Sequence, residues 1–397
     1  MPVHYVTELP RRAELVIVGG GIVGAATALF ARRAGLRPLL IERRDALCTL
    51  TTPASTGAYR LQFDNKEELD LVRESVDVFW NFEAVTDQNE YDASVRRQGY
   101  LWLTTSEQRA EEQSALVALQ HEWGQRDIEI VSGEDVRARW PYVDPRVVQA
   151  RWRADDGFLD PKKVTMGFAT GARVPVIVGC EVVGFETRAG ALTQVRTSRG
   201  DVSTDTAVIA AGPFSGIVAS TVGVGLPVTT VARHKVVFPE LASVPRDAPM
   251  TIDDDTGAHW RPALGGAFCL FTDPSTPSTP PTENVPPDHP LALRLLDPAS
   301  PIALARVAPF WTEVWERNAA FWMLQSGQYT MTPDHRPLLG ETEVGGLFVN
   351  TGYSGHGIMG APAGSRHLVD VITGKIDPKT NAFRLDRDLA PRGLDLL

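Results

Sequence analysis

An unbroken apolar strand lies near the start of the chain and runs directly into a glycine loop. Every position from Leu15 to Val18 is apolar, which is typical of a strand buried on both faces of a parallel sheet. An alanine-rich stretch follows the loop, and a second apolar run then ends at Glu42. This order predicts a strand, loop, helix and strand unit close to the N-terminus.

The same order of elements returns near the C-terminus. Residues 345–374 contain an apolar strand, a glycine-rich turn and a stretch with apolar residues at helical spacing. The run from Thr206 to Ala211 is also continuously apolar and ends at Gly212, so we expect it to join the same parallel sheet. Both ends of the chain are therefore predicted to build one domain, and middle segments a second.

The segments between these units predict both helices and strands. Apolar residues recur at helical spacing over 66–85, which favours a helix there. Short strands alternate with turns over 174–211, and a β-rich region follows. Residues 272–290 are rich in proline, threonine and serine, which indicates a surface excursion rather than a packed element. Further helices are predicted over 106–123, over 131–141 and from Asp160.

The N-terminal glycines have the spacing of a dinucleotide-binding loop. Gly19 permits a tight turn, Gly21 lets the backbone approach a diphosphate, and Gly24 lets the helix lie close to the strand. The helix N-terminus then offers unpaired amides to an anion. Glu42 stands where an acid binds a ribose hydroxyl, although Arg43 beside it leaves a phosphorylated ribose possible.

Composition narrows the classes of function. The chain has 397 residues, enough for about two domains, and 39 Lys and Arg against 49 Asp and Glu give a net charge of -10. This balance argues against nucleic-acid binding. Cys48, Cys180 and Cys269 lack metal-ligand spacing, so no metal site is predicted. No apolar stretch has the length of a membrane span, and we expect a cytoplasmic protein.

Four segments resemble the D-amino-acid-oxidase-like FAD oxidoreductases, which include sarcosine oxidase, glycine oxidase and dimethylglycine dehydrogenase. They read VIVGGGIVGAATALFARRAG, STGAYRLQF, TAVIAAGPFS and TPDHRPLLG followed by GLFVNTGYSGHGIMGAP. The resemblance implies an α/β fold with a Rossmann-like, mostly parallel FAD-binding domain and an α+β substrate domain with a large mixed or antiparallel sheet. The FAD-binding domain would comprise 1–80, 145–225 and 325–397, and the substrate domain 81–144 and 226–324.

The resemblance also implies where FAD binds. The SGHG turn would face the polar edge of the flavin through its backbone amides and a helix N-terminus, whose positive dipole stabilises negative charge on the reduced ring. The resemblance assigns the role of this turn to its backbone, and the His356 imidazole is only a weak candidate for an acid or base. The implied FAD contacts are Gly19, Gly21, Ile22, Val23, Gly24, Glu42, Arg43, Ser55, Thr56, Gly57, Val182, Val183, Gly212, Gly355, His356, Gly357, Ile358 and Met359.

The implied chemistry is hydride removal from a substrate carbon to the flavin, which carries the difficult step. An amino-acid carboxylate is best anchored by arginine, because the planar guanidinium forms paired, charge-assisted hydrogen bonds. His234 and His259 are weaker candidates for a role in the site. The candidate substrate-site residues are Arg60, Arg261, Tyr329, Tyr353 and His356.

The chain departs from sarcosine oxidases at three places. Residues 326–328 replace the cysteine that carries FAD there, and nothing in the sequence shows that Cys48 approaches the cofactor, so we expect noncovalent FAD. No lysine occurs in 267–270, where those enzymes have the lysine that promotes reaction with oxygen, and Met359 replaces a carboxylate-binding lysine. These changes argue against sarcosine as the substrate and leave oxidase or dehydrogenase activity open.

The leading hypothesis is an oxidoreductase that acts on the C–N bond of an amino acid or N-substituted amino acid, with oxygen or another acceptor taking the electrons. Two alternatives stay open: oxidation of a 2-hydroxy acid, and a flavin-binding subunit of a larger complex. An NAD enzyme is disfavoured because the C-terminal turn would have no role in it. The expected partners are a small-molecule amine or amino acid and an electron acceptor or partner subunit.

Overall fold

The computed structural model describes residues 2–317 and 321–391. Its strands are β1 Leu15–Val18, β2 Pro38–Ile41, β3 Ala58–Tyr59, β4 Tyr100–Thr104, β5 Glu129–Ser132, β6 Gln149–Arg153, β7 Gly157–Phe158, β8 Val176–Ile177, β9 Val182–Arg188, β10 Ala191–Thr197, β11 Gly200–Ser203, β12 Ala207–Ile209, β13 Thr229–Phe238, β14 Met250–Asp253, β15 Ala258–Ala263, β16 Gly266–Phe271, β17 Met323–Met331, β18 Leu338–Glu341 and β19 Leu347–Thr351. Its α-helices are α1 Ile22–Arg33, α2 Thr51–Ala54, α3 Lys66–Trp80, α4 Phe82–Thr86, α5 Glu107–Glu122, α6 Gly133–Arg139, α7 Pro161–Ala172, α8 Ser215–Ser220, α9 His289–Leu296, α10 Phe310–Glu316 and α11 Gly357–Ile372.

A six-stranded sheet joins the two ends of the chain in the order β18-β19-β12-β1-β2-β8. The pairs from β19 to β8 are parallel, and only β18 runs antiparallel at the edge. The fully apolar β1 lies in the interior of this sheet, as its pattern predicts. The unit at each end of the chain thus contributes a central strand to one Rossmann-like sheet.

The two faces of this sheet bury different layers. Leu15 and Ile17 pack with the residues of α1, α7 and α11 in one core, and α1 lies against both other helices. Val16 and Val18 point to the other face, which is covered by the antiparallel sheet β11-β10-β9. The alternation along β1 therefore builds a three-layer domain.

An eight-stranded sheet forms the second domain in the order β17-β13-β16-β15-β14-β4-β6-β5. Its strands are antiparallel except for the β14 and β4 pair. One face packs through Trp260 of β15 against α9 and α10, which contributes Trp311 to the same core. The opposite face carries basic side chains, among them Arg233, Lys235 and Arg261. The predicted fold class, a Rossmann-like domain with an α+β partner, is confirmed.

Some local expectations differ from the structure. β6 and β17 belong to the eight-stranded sheet, although the predicted boundaries place both largely in the FAD-binding domain. Register with distant strands decides this membership, and it has no local signal. The helix predicted over 66–85 divides at Asn81. Residues 272–290 are irregular, but Thr279 and Thr282 bond to Thr230 and Gln328, so part of that segment packs on β13 and β17. Among the described helices, none is long and apolar enough to cross a membrane.

Candidate functional site

A cleft of about 450 Å³ follows the carboxyl edge of the six-stranded sheet and reaches the eight-stranded sheet. The ends of the parallel strands line it, including Val18, Ile41 and Thr351. Ligands of open α/β sheets bind at this edge, because helix N-termini and loops gather there. The two glycine turns of the sequence therefore meet in one site.

The glycines of the N-terminal loop have separate roles. Gly19 has a φ of +116°, and a Cβ there would lie 2.4 Å from the Ala210 carbonyl oxygen. A Cβ on Gly24 would lie 1.8 Å from the Gly19 carbonyl oxygen, so Gly24 sets the approach of α1 to the loop. Gly21 lines the cleft, and its Cβ would meet only Thr52 Oγ1, at 3.2 Å. The loop is thus tightly packed at two glycines and open to a ligand at the third.

Glu42 fixes the far end of this loop. Its two carboxylate oxygens accept hydrogen bonds from the backbone amides of Gly20, at 2.7 Å, and Arg44, at 2.8 Å. Each oxygen keeps a further lone pair, and Glu42 lines the cleft together with Val182 and Val183. A ribose hydroxyl can therefore still donate to this carboxylate.

Arg43 closes the same end from the side. Its guanidinium carbon lies 3.9 Å from the centroid of the Phe214 ring, and Nη2 lies 2.8 Å from Glu283 Oε1. Glu283 also pairs with Arg44. Because Glu283, in the 272–290 segment, pairs with both Arg43 and Arg44, the positive charge of these arginines is partly compensated. This arrangement favours an unphosphorylated ribose.

The C-terminal turn lies at the opposite end of the cleft. Ser354 and Gly355 have φ values of +49° and +100°, and α11 then begins at Gly357 without a side-chain cap at its N-terminus. The Tyr329 ring packs on the turn, because a Cβ on Gly355 would lie 2.9 Å from Tyr329 Cε2. Free amides of a helix start carry positive potential, which suits the polar edge of a flavin.

The His356 side chain points behind this turn. Its Nδ1 lies 3.0 Å from Glu68 Oε1, and its Nε2 lies 3.2 Å from Arg60 Nη2. A guanidinium can only donate, so Nε2 accepts and the ring proton resides on Nδ1, which donates to Glu68. All three side chains are buried, and neither Arg60 nor His356 lines the cleft. The network braces the turn from behind.

Arg60→Lys is expected to lower the stability of the folded protein and to leave substrate binding unchanged. Arg60 also donates to the Gln62 carbonyl oxygen at 2.8 Å, and a lysine cannot reproduce the planar fork. Loss of such buried, charged hydrogen bonds costs about 1.5–3 kcal/mol, which thermal unfolding would reveal against an Arg32→Lys control on the exposed face of α1. A raised Michaelis constant with unchanged unfolding would contradict this placement.

Arg261 lies outside the cleft as well. Its Nε donates to the Thr56 carbonyl oxygen at 2.7 Å, and its guanidinium stacks between Phe158 and Phe268, whose ring centroids lie 4.4 and 4.6 Å from Cζ. Burial lowers the pKa of Arg261 to about 9. Neither Arg60 nor Arg261, the two sequence-predicted anchors, lines the cleft, and each donates to a backbone carbonyl oxygen.

The two predicted tyrosines differ in their surroundings. Tyr353 donates to Asn350 Oδ1 at 2.6 Å, and its ring fills the space left by Gly360 and Gly364 in α11. Burial raises the pKa of Tyr353 and of Tyr329. Because the Tyr353 hydroxyl is bonded within the domain, Tyr329 is the better placed of the two to face a substrate.

Arg233 is a candidate that the sequence reasoning missed. It lies on β13 and lines the cleft near the C-terminal turn, with Cζ 5.5 Å from the centroid of the Tyr329 ring. Its Nη1 donates to the Ala232 carbonyl oxygen at 3.1 Å, while its buried Nε has no hydrogen-bond partner within the described residues. The available signal was a run of three basic residues, 233–235, inside an otherwise apolar strand.

Cys48 and Cys269 show no preparation for covalent attachment. Cys48 lines the cleft, but burial raises the pKa of its thiol to about 11, and the thiolate is the reactive form. Cys269 is also buried and its pKa is raised. Within 2–317 and 321–391, no group of three or more His, Cys, Asp or Glu side chains could hold a metal ion.

The cleft gathers most of the residues predicted to contact a cofactor. Those that line it are Gly19, Gly21, Ile22, Val23, Glu42, Arg43, Ser55, Val182, Val183, Gly212, Gly355, Gly357 and Ile358. Two predicted substrate-site residues, Tyr329 and Tyr353, line it as well. The predicted residues that lie behind its walls are Gly24, Thr56, Gly57, Arg60, Arg261, His356 and Met359.

A family model and several known proteins match the sequence of the chain. A family model described as DAO, FAD-dependent oxidoreductase, matches residues 14–371. The FAD-dependent oxidoreductase domain-containing protein 1 of Xenopus laevis is 25% identical over 413 residues, covering 91% of this chain and 79% of that protein. The mitochondrial dimethylglycine dehydrogenase of Mus musculus is 24% identical over 382 residues, covering 92% of this chain and 43% of that protein.

Solved structures share the architecture. L-Proline dehydrogenase from P. horikoshii superposes with a TM-score of 0.82 at 21% identity, covering 95% of this chain and 96% of that chain. Glycine oxidase from Bacillus cereus gives a TM-score of 0.79 at 22% identity, covering 97% of this chain and 100% of that chain. At these identities the likeness shows the fold alone.

Proposed function

Because the chain belongs to the DAO family of FAD-dependent oxidoreductases, we propose that it oxidises the C–N bond of an amino acid or N-substituted amino acid. The family and the FAD cofactor predicted from the sequence are thereby confirmed. Bound FAD supplies the acceptor for the hydride that leaves the substrate carbon. The resulting imine hydrolyses in water.

The cleft fits FAD along its length. Gly21 leaves room for a diphosphate beside the first amides of α1, where an anion is favoured. Glu42 would hold the adenosine ribose, and the amides of Gly355 and Gly357 would face the polar edge of the flavin. With Cys48 held as a neutral thiol, noncovalent binding is the consistent choice.

The observation that carries the substrate proposal is the position of Arg233. It places a cation with an unpartnered nitrogen beside Tyr329 at the flavin end of the cleft. A guanidinium in a half-buried site favours a carboxylate, which can accept two parallel hydrogen bonds. Arg233 would orient the substrate, so that its α-carbon faces the ring, and Tyr329 would wall the site against water.

The test is anaerobic mixing of the purified protein with panels of amino acids, N-methyl amino acids and 2-hydroxy acids, followed by the flavin absorbance. Bleaching by amino acids but not by the matching hydroxy acids is the expected result. Bleaching only by hydroxy acids would refute the amine proposal. Subsequent admission of air separates an oxidase, whose flavin reoxidises at once, from a dehydrogenase.

Oxidation of a 2-hydroxy acid is the second candidate, and His234 is the observation in its favour. This residue lines the cleft, its Nδ1 lies 2.8 Å from Ser326 Oγ, and burial lowers its pKa. A neutral imidazole can accept the proton of a hydroxyl. His234→Asn would then abolish bleaching by hydroxy acids, while leaving bleaching by amino acids intact.

The remaining expectations stay predictions. A partner subunit, the natural electron acceptor and a cytoplasmic location are consistent with the sequence, and the relatives include mitochondrial proteins. Turnover by the isolated chain in size-exclusion fractions would argue against a subunit that is inactive alone.

A further inference from the structure

One wall of the cleft is held from outside by cations of the eight-stranded sheet. The segment 51–57 lines the cleft through Ala54 and Ser55, among others. Lys235 Nζ donates to the carbonyl oxygens of Ser55, at 2.7 Å, and Pro53, at 3.2 Å. Arg261 holds the next carbonyl along, that of Thr56. Three carbonyls of the segment 51–57, which contributes Ala54 and Ser55 to the wall, are thus bound on the side of the sheet.

Lys235 is buried among few compensating charges. Its side chain is 2% exposed, and Nζ lies 4.2 Å from the centroid of the Phe268 ring on β16. The charged groups that face it are Arg261 on β15, Asp160, which caps α7, and Lys162 in the first turn of α7. Burial, reinforced by Arg261, lowers the pKa of Lys235 to about 7.

The carbonyl contacts determine how the wall presents its amides. In a trans peptide the C=O and the following N–H point in opposite directions. With the Pro53 and Ser55 carbonyls on Lys235, the amides of Ala54 and Thr56 point away from the lysine. The same segment touches the diphosphate loop, because Thr52 Oγ1 accepts a hydrogen bond from the Ile22 amide at 3.3 Å. A shift of the wall would therefore displace the start of α1.

We propose that Lys235 is a positioning residue for FAD: its ammonium group, held by the second domain, fixes the orientation of the 53–56 wall on which FAD binding depends. The positive charge also favours a dianionic diphosphate in the adjoining loop. The inference requires only that the protein binds FAD, and it is independent of the substrate.

The charge of Lys235 then couples FAD binding to pH. A neutral amine forms weaker hydrogen bonds to carbonyls than an ammonium, so FAD affinity falls as the pH rises above about 7, the pKa of Lys235 in the folded protein. The stability of the apoprotein changes in the opposite direction. Between the folded value and the unfolded one, about 10.4, the unfolded chain binds more protons, and stability rises with pH.

The experiment titrates FAD into the full-length apoprotein between pH 6.5 and 8.5, with flavin fluorescence as the signal and apoprotein melting in parallel. For the wild type, the dissociation constant is expected to rise about fivefold over this range. Lys235→Met should bind FAD about tenfold more weakly at pH 6.5, lose most of the pH dependence, and melt no lower than the wild type. Lys163→Met, an exposed lysine that pairs with Asp92, controls for a general loss of charge.

Two results would overturn the proposal. One is an FAD dissociation constant of Lys235→Met that matches the wild type at pH 6.5. The other is a wild-type pH dependence that persists unchanged in Lys235→Met. If Lys235→Met fails to fold, Lys235→Gln keeps a neutral donor and is read by the same two criteria. Because no substrate is present, none of these results depends on the proposed reaction.

Discussion

Gly21→Val is expected to abolish FAD retention while leaving the fold intact. The backbone of Gly21, with φ -77° and ψ -176°, is ordinary extended chain that any residue adopts. A Cβ there contacts only the Thr52 hydroxyl, at 3.2 Å, so the apoprotein has little to rearrange. The valine methyls would nevertheless occupy the space in front of the first amides of α1, which the diphosphate needs.

Gly24→Ala is the matched comparison, because it adds less volume but meets backbone. The added Cβ would lie 1.8 Å from the Gly19 carbonyl oxygen, so α1 must move away from the sheet. Overpacking of this kind costs about 1–3 kcal/mol. Purified Gly21→Val should be colourless with a melting temperature close to that of wild-type apoprotein, whereas Gly24→Ala should melt lower. A yellow Gly21→Val protein would show that the diphosphate lies elsewhere.

The contrast between these glycines shows which features of the structure could be predicted from the sequence. Local order along the chain identified both glycine turns, their strands and the helices that follow, because each unit is encoded within about 30 residues. It also distinguished the roles of Gly19, Gly21 and Gly24. Membership of the eight-stranded sheet could not be predicted in the same way, since β17 pairs with the distant β13, and β6 joins the sheet through β4, on the far side of α5 and β5 in the sequence.

Within the site, the arginines show the same limit: contacts with distant segments cannot be predicted from the local sequence. Residue type and neighbouring motif predict that Arg60 and Arg261 are anchors, yet they have partners from distant segments: His356 for Arg60 and the Thr56 carbonyl for Arg261. Whether an arginine faces a ligand or a carbonyl depends on those partners. Arg233 carries a local signal, a basic residue among apolar strand positions, but the strand alternation does not show that Arg233 lines the cleft whereas Lys235, on the same face, does not.

Arg233→Met is expected to lower kcat/KM for an amino-acid substrate by roughly 30-fold to several thousandfold. Removal of one partner of a desolvated charge pair costs about 2–5 kcal/mol, and the loss here falls on the carboxylate of the substrate. Methionine keeps the length of the side chain and has no donors. Stopped-flow reduction of the flavin under anaerobic conditions measures the effect without involving the electron acceptor.

The carboxylate itself supplies the discriminating comparison. If Arg233 binds it, the penalty of Arg233→Met should largely disappear for the decarboxylated amine, which is a poor substrate for both proteins. The kcat/KM of Arg233→Lys should fall between those of the wild type and Arg233→Met, because lysine keeps the charge and loses the paired geometry. Arg188→Met, at the exposed end of β9, should behave as the wild type. An equal penalty for amino acid and amine, or a loss of FAD from Arg233→Met, would place Arg233 against the cofactor and remove it as the carboxylate anchor.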